Sequence, residues 1–396
     1  MLPITLALLA LAQTPSFQFA IHTTDPKPLF GAITKFDADG LTLNEPNLTI
    51  PAGNLIAIKR TGLRLPPFPR DEQAILANGD RIRGTVQGGD SKAIQFLPAG
   101  QPQAEVWKLP LGTLAALWLR PPPADMPFDP IAYPWTEAPK RRDAAWLRNG
   151  DVVRGTVTSF GNAPPIATLQ TTAGLMTNRL DQLYAVAFDP SLARVRKPKD
   201  PFYRVTLDDG SRITLGTASI KDGRLSGSTL AGPQLSVTMA SVLSLDVVQG
   251  KAIDLSDLKP KRTDVQPYQG VTWPWVADRS VRGNPLQLGS DTYAKGLGTH
   301  SKSTLAYDLA GKYRRFETKI GLDPATGRRG SVDVRILKDG KEVPFPDLLG
   351  LTLGKSPQSV VVDLKGAKEL TLIVDYGAAG DVQDDVNWAE PRLILE

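Results

Sequence analysis

Leu76-Ala77-Asn78-Gly79-Asp80-Arg81-Ile82-Arg83-Gly84-Thr85-Val86 recurs as Leu147-Arg148-Asn149-Gly150-Asp151-Val152-Val153-Arg154-Gly155-Thr156-Val157. A looser copy is Leu207-Asp208-Asp209-Gly210-Ser211-Arg212-Ile213-Thr214-Leu215-Gly216, and a weaker one begins near Gly31. Each copy runs on to a second apolar stretch, at 55–58, 114–119, 183–188 and 242–247. Asn-Gly and Asp-Gly supply the positive-φ residues of a tight hairpin turn. The alternation after the turn (Ile82, Gly84, Val86) predicts a strand with one buried face, and the glycine inside it predicts a bulge or a close backbone approach. The unit is therefore a small antiparallel sheet or barrel of four or five short strands. Copies of this length are long for a solenoid, so consecutive small β-domains or blades are expected. Both an extended chain of beads and a compact pseudo-symmetric arrangement are compatible with this pattern.

Composition agrees with an all-β reading. The chain has 396 residues with 35 Gly and 34 Pro, scattered between short apolar runs as turn punctuation. Hydrophobic residues at 41% and charged residues at 22% indicate a globular protein, and the length predicts two to four domains. Cysteine is absent, which excludes disulfides and thiolate metal sites. Residues 1–12 (MLPITLALLALA) are too short to span a bilayer, and Ala10-Leu11-Ala12 resembles a cleavage site. The expectation is a signal peptide and a secreted, periplasmic or cell-envelope location, with no transmembrane segment later in the chain.

Proline-rich and basic segments punctuate the chain: 65–69, 121–139 and 190–201, followed by 257–266. The expected organisation is a signal peptide at 1–12, β-repeats at 13–64 and 72–120, a Pro-rich linker at 121–143, β-repeats at 144–190 and 202–252, and a final domain at 265–396. Residues 265–396 hold 17 basic and 17 acidic residues, whereas residues 1–264 hold 29 and 24, so the net +5 lies in the repeats and their connections. No aromatic-lined basic groove accompanies that surplus, so no nucleic-acid partner is expected.

From about Val265 the pattern changes to six alternating segments (303–309, 315–322, 331–337, 358–364, 370–375 and 391–395) separated by Gly, Pro and Asp-Gly turns. That spacing predicts a β-sandwich. The run Tyr293-Ala294-Lys295-Gly296-Leu297-Gly298-Thr299-His300-Ser301 is followed by Tyr307-Asp308-Leu309, Gly321-Leu322-Asp323 and Gly330-Ser331-Val332. Asp339-Gly340-Lys341, Val362-Asp363-Leu364 and Asn387-Trp388-Ala389-Glu390-Pro391-Arg392-Leu393 complete the series. In this order they resemble the NPCBM carbohydrate-binding module, also known as the family 98 glycosyl hydrolase carbohydrate-binding module. The resemblance implies a galactose-binding-like β-sandwich (jelly roll) that binds terminal, galactose-type sugars of a cell-surface or extracellular glycan and often holds a structural Ca2+. The chain departs from the family at Asp384-Asp385-Val386-Asn387-Trp388, where members often show Asp-His-Ala-Asp-Trp.

Sugar recognition needs an aromatic face and polar groups for the hydroxyls. Trp388 beside Asp384, Asp385 and Asn387 offers that set, or else it closes the core as a buried tryptophan. His300, at a glycine-rich loop-to-strand junction, offers a donor and an acceptor, or ties the loop down. Tyr293, Lys295, Arg328 and Arg329 are further candidates, the arginines as forks for vicinal hydroxyls or an acidic sugar. Asp291, Asp384, Asp385 and Glu390 offer carboxylates for calcium. No nucleophile elbow, phosphate loop or dinucleotide fingerprint is present, and no segment is large enough for a catalytic barrel. The expectation is a non-catalytic binding protein. An envelope protein without sugar affinity is the alternative, and a glycosidase is the remote one.

Overall fold

A computed structural model describes residues 17–44, 47–100, 105–121, 142–266, 270–378 and 380–396. The expected signal peptide at 1–12 and most of the Pro-rich linker lie outside the described residues. The second, third and fourth repeats open with the turn that their sequence predicts. Gly79, Gly150 and Gly210 have φ of 88°, 93° and 88°. In each turn the glycine N–H donates three residues back, to Leu76, Leu147 and Leu207. The close approach also holds: a Cβ on Gly84 would stand 2.3 Å from the Leu97 carbonyl oxygen, and one on Gly155 would stand 2.4 Å from that of Gln170.

Each copy closes on itself by pairing its first strand with its last. The pairs are Gln18–Thr23 with Leu55–Arg60, Gln73–Leu76 with Leu114–Trp118, Asp143–Leu147 with Leu183–Ala187, and Phe202–Leu207 with Val242–Val248. A short 3₁₀ turn leads into the last strand in the first three copies. The last strands then pair with one another. Leu55–Arg60 lies antiparallel to Val242–Val248, and Leu114–Trp118 lies antiparallel to Leu183–Ala187. Copies one and four form one pair, and copies two and three form the other.

The apolar runs at these last strands do not alternate, because a strand paired on both edges and covered on both faces buries every side chain. Ile58, Leu117, Val186 and Leu245 accordingly share one core. The repeats are one compact pseudo-symmetric body, not an extended chain of beads.

The C-terminal part is a two-sheet antiparallel sandwich. One sheet runs Val276–Ala277, Gly296–His300, Asp385–Leu395, Tyr313–Leu322, Gln358–Asp363. The other runs Arg262–Val265, Ser303–Asp308, Glu369–Tyr376, Ser331–Lys338, Lys341–Val343. Leu297, Tyr307, Phe316, Ile336, Leu372 and Trp388 fill the space between them. The sandwich begins earlier than 265: Ala252–Asp254 pairs with Asp385–Leu395, and Leu255 enters the core. It docks on the seam between copies one and four, where Ile56 and Ala57 pack against Ala252 and Ile394.

Candidate functional site

Strand Gly296–His300 and strand Asp385–Leu395 pair with His300 opposite Asp385, at one end of the sandwich. The preceding glycines keep the strands close; a Cβ on Gly296 would meet the Trp388 carbonyl oxygen at 2.2 Å. His300 Nδ1 donates to the Ser301 carbonyl at 2.6 Å, which leaves Nε2 facing Asp385 Oδ1 at 3.5 Å. The Trp273 ring stacks on the His300 ring, with centroids 5.6 Å apart and planes 24° from parallel. Arg282 lies 4.6 Å from the centroid of Trp273 and donates from Nε to Asp385 Oδ2. The Arg282 side chain is 38% exposed and Trp273 is half-buried, so these two form the solvent-facing layer over the buried His300–Asp385 pair.

Behind this front the polar residues are committed to the fold. Asp384 accepts Ser301 Oγ at 2.6 Å and the Ser331 amide at 2.9 Å, and burial pushes its carboxyl up to about 6. Asp323 accepts the Ala325 amide at 3.0 Å, and burial raises its carboxyl too. Asn387 donates to the Gln287 carbonyl at 3.0 Å. Beside them, Arg328 and Arg329 stand exposed on their turn, where the Arg329 amide donates to Gln383 Oε1 at 3.0 Å.

Trp388 requires a correction. It is fully buried, and its indole Nε1 donates to Thr299 Oγ1 at 3.1 Å inside the core, so no face is open to a pyranose. The aromatic at this end is Trp273. The signal was the Trp273-Pro274-Trp275 cluster just ahead of the family-like run.

Tyr293, Asp291 and Glu390 also part company with the site, because the structure places them at the junction with the repeats. Asp291 Oδ1 accepts the Leu65 amide at 3.0 Å, and Tyr293 packs with Leu286 and Leu288. Glu390 is bound by Lys59 and by Arg392, the latter at 3.4 Å. Burial opposes its ionisation, yet these two cations hold the carboxyl far below the usual carboxylate range. Asp291 and Glu390 therefore do not fit a calcium site: one serves a backbone amide and the other has its charge already compensated. Among the described residues no three acidic or imidazole side chains gather as metal ligands.

Residues 251–394 match the NPCBM/NEW2 domain family. The C-terminal sandwich is an NPCBM/NEW2 domain. A curated relative from Renibacterium salmoninarum, named "Putative endo-alpha-N-acetylgalactosaminidase", is 32% identical over 113 residues. That match takes in 28% of this chain and 7% of the relative, so the chain spans only a small part of that protein. Among solved structures, a module from Clostridium perfringens in complex with methyl-galactose ("CBM51 from Clostridium perfringens GH95") is 25% identical. It covers 36% of this chain and 99% of its own, with a TM-score of 0.32. The tandem modules of a family 98 glycoside hydrolase from Streptococcus pneumoniae are 13% identical and cover 69% and 92%, with a TM-score of 0.33. Among the described residues no helix is long and apolar enough to cross a membrane.

Proposed function

We propose that this chain is an exported, non-catalytic carbohydrate-binding protein whose NPCBM domain holds a terminal sugar of the galactose type at the Trp273 end. The observation that carries the reading is the half-buried Trp273 with Arg282, His300 and Asp385 gathered at one end of the family-matched sandwich. Trp273 offers apolar edge and ring surface to a pyranose. Arg282 offers N–H donors for ring hydroxyls, and Asp385 Oδ1 with His300 Nε2 offers acceptors behind it. Arg328 and Arg329 extend the donor set at the rim. The galactose-type preference is supported by the name of the curated relative. The repeats would serve as a rigid base that presents the domain.

One observation favours a second reading, an envelope protein without sugar affinity. Asp384, Asp385, Asn387 and Trp388 are all buried and make internal bonds, as a purely structural strand would. Glycan-array binding by the full chain, with and without calcium, separates the two. The expected result is selective binding to galactose-type termini that Trp273→Ala and Arg282→Ala abolish while circular dichroism stays unchanged. A folded protein that binds no glycan would leave the structural reading standing.

A further inference from the structure

A cavity of about 370 Å³ opens where the repeat body meets the NPCBM domain, away from the Trp273 end. That volume is within the usual small-ligand range of roughly 300–1,000 Å³. Its basic wall is Arg81, Lys197, Arg204, Arg212, Arg279 and Lys295, against only Asp80, Asp257 and Asp278. Two of those acids compensate Lys295, whose Nζ binds Asp257 at 2.7 Å and Asp278 at 2.6 Å, and Asp80 accepts Thr214 N at 2.8 Å and Oγ1 at 2.5 Å, all within the same wall.

Arg212 is buried, yet among the described residues it donates only to carbonyl oxygens, those of Gly210, Ser211, Pro66 and Thr292. Phe68 lies against two of the guanidiniums, 4.2 Å from Arg81 and 5.3 Å from Arg212. Burial, with repulsion from Arg81, outweighs the attraction of Asp209 and Asp246 and pulls Arg212 down to about 10. A buried guanidinium bonded to neutral carbonyls favours an anion beside it. The basic connection at 194–199 sends Val195 and Lys197 to this wall.

We propose that this interdomain cavity is a binding site for a small oxyanion-bearing ligand, with Arg204 and Arg212 facing the anion and Lys197 at the rim. The site draws its wall from both halves of the chain, so a bound ligand tightens their junction. An oxyanion reaches it either as the carboxylate of an acidic sugar or as a phosphate group. The proposal does not depend on the sugar reading, because a neutral galactose brings no negative charge to this wall.

The test is calorimetric titration of the full chain at constant ionic strength with glucuronate, inorganic phosphate and galactose. Saturable binding of glucuronate alone identifies an acidic-sugar site, and binding of phosphate identifies a phosphate site. In either case Arg204→Gln should weaken it about tenfold, the loss of one charged contact in a desolvated wall. Lys197→Glu sits on the exposed rim, so it leaves the fold intact and should weaken binding severalfold even where Arg204→Gln disturbs folding. Absence of saturable binding for both anions overturns the proposal, as does undiminished affinity in Lys197→Glu together with a folded Arg204→Gln.

Discussion

Trp388 and Trp273 divide between them the two things a tryptophan does in a sandwich. Trp388 fills the space between sheets with its indole N–H satisfied, so Trp388→Ala should cost about 3–5 kcal/mol through the cavity it leaves. Trp273 sits at the edge, and its loss should spare stability while removing glycan binding; urea denaturation beside the glycan array distinguishes the two roles. Asp384 makes a pH prediction. Its folded carboxyl is raised to about 6 by burial, whereas an unfolded aspartate sits near ~3.9. Between those values the folded state holds the proton and the unfolded state does not, so this group makes stability fall as pH rises through that window. Asp384→Asn keeps an acceptor for the Ser331 amide and removes the titration. The urea midpoint of the variant should fall less than the parent's between pH 4 and 6, and the variant should be no less stable at pH 7. An unchanged slope would assign the effect to another group.

At the scale of the element, the repeat turn and the repeat strand use glycine for different reasons, and substitution tells them apart. Gly79 has open space beside it, so Gly79→Ala meets only the left-handed backbone and should cost about 1–2 kcal/mol. Gly84→Ala and Gly155→Ala drive a methyl into a partner-strand carbonyl and should cost about 1–3 kcal/mol or more. Thermal melts of the three variants check the ranking. The turns and closing strands were legible because each is written in local chemistry: a glycine where φ is positive and an apolar run where both faces are covered. The final strand was not. Its pattern predicts 391–395, but the strand is Asp385–Leu395. Asp385 and Asn387 share one face and Val386 and Trp388 the other, but the polar face is buried as well, so no exposed side marks the strand. Pro391 and the positive φ of Glu390 interrupt the ladder, where the pairing with Tyr313–Leu322 shifts register.

For the whole molecule, the junction between body and sandwich rests on a buried ion cluster. Arg392 reaches Asp246 at 2.8 Å, Asp254 at 3.2 Å and Glu390 at 3.4 Å, and Glu390 also binds Lys59. Arg315 adds a bond to the Thr24 carbonyl at 2.8 Å. The depressed Glu390 carboxyl contributes stability above the ordinary glutamate value near ~4.3, and that contribution is lost as pH falls below it. Glu390→Gln leaves Lys59 and Arg392 less compensated and should cost about 3 kcal/mol. Calorimetry should show the body and the sandwich melting apart in the variant where the parent melts together; a single unshifted transition would deny the cluster that role.

The sequence by itself determined the all-β class, the four-fold repeat, the turn glycines and the family of the last domain, because these depend on short-range spacing and on backbone conformations that few residues adopt. Only the tertiary structure decided that the repeats pair one with four and two with three. It also decided that Trp388 is core, that Trp273 and Arg282 meet His300 and Asp385, and that Glu390 faces Lys59 across 331 positions. Those outcomes depend on which surfaces exclude water together, and contacts of that sequence separation leave no periodic trace in the chain.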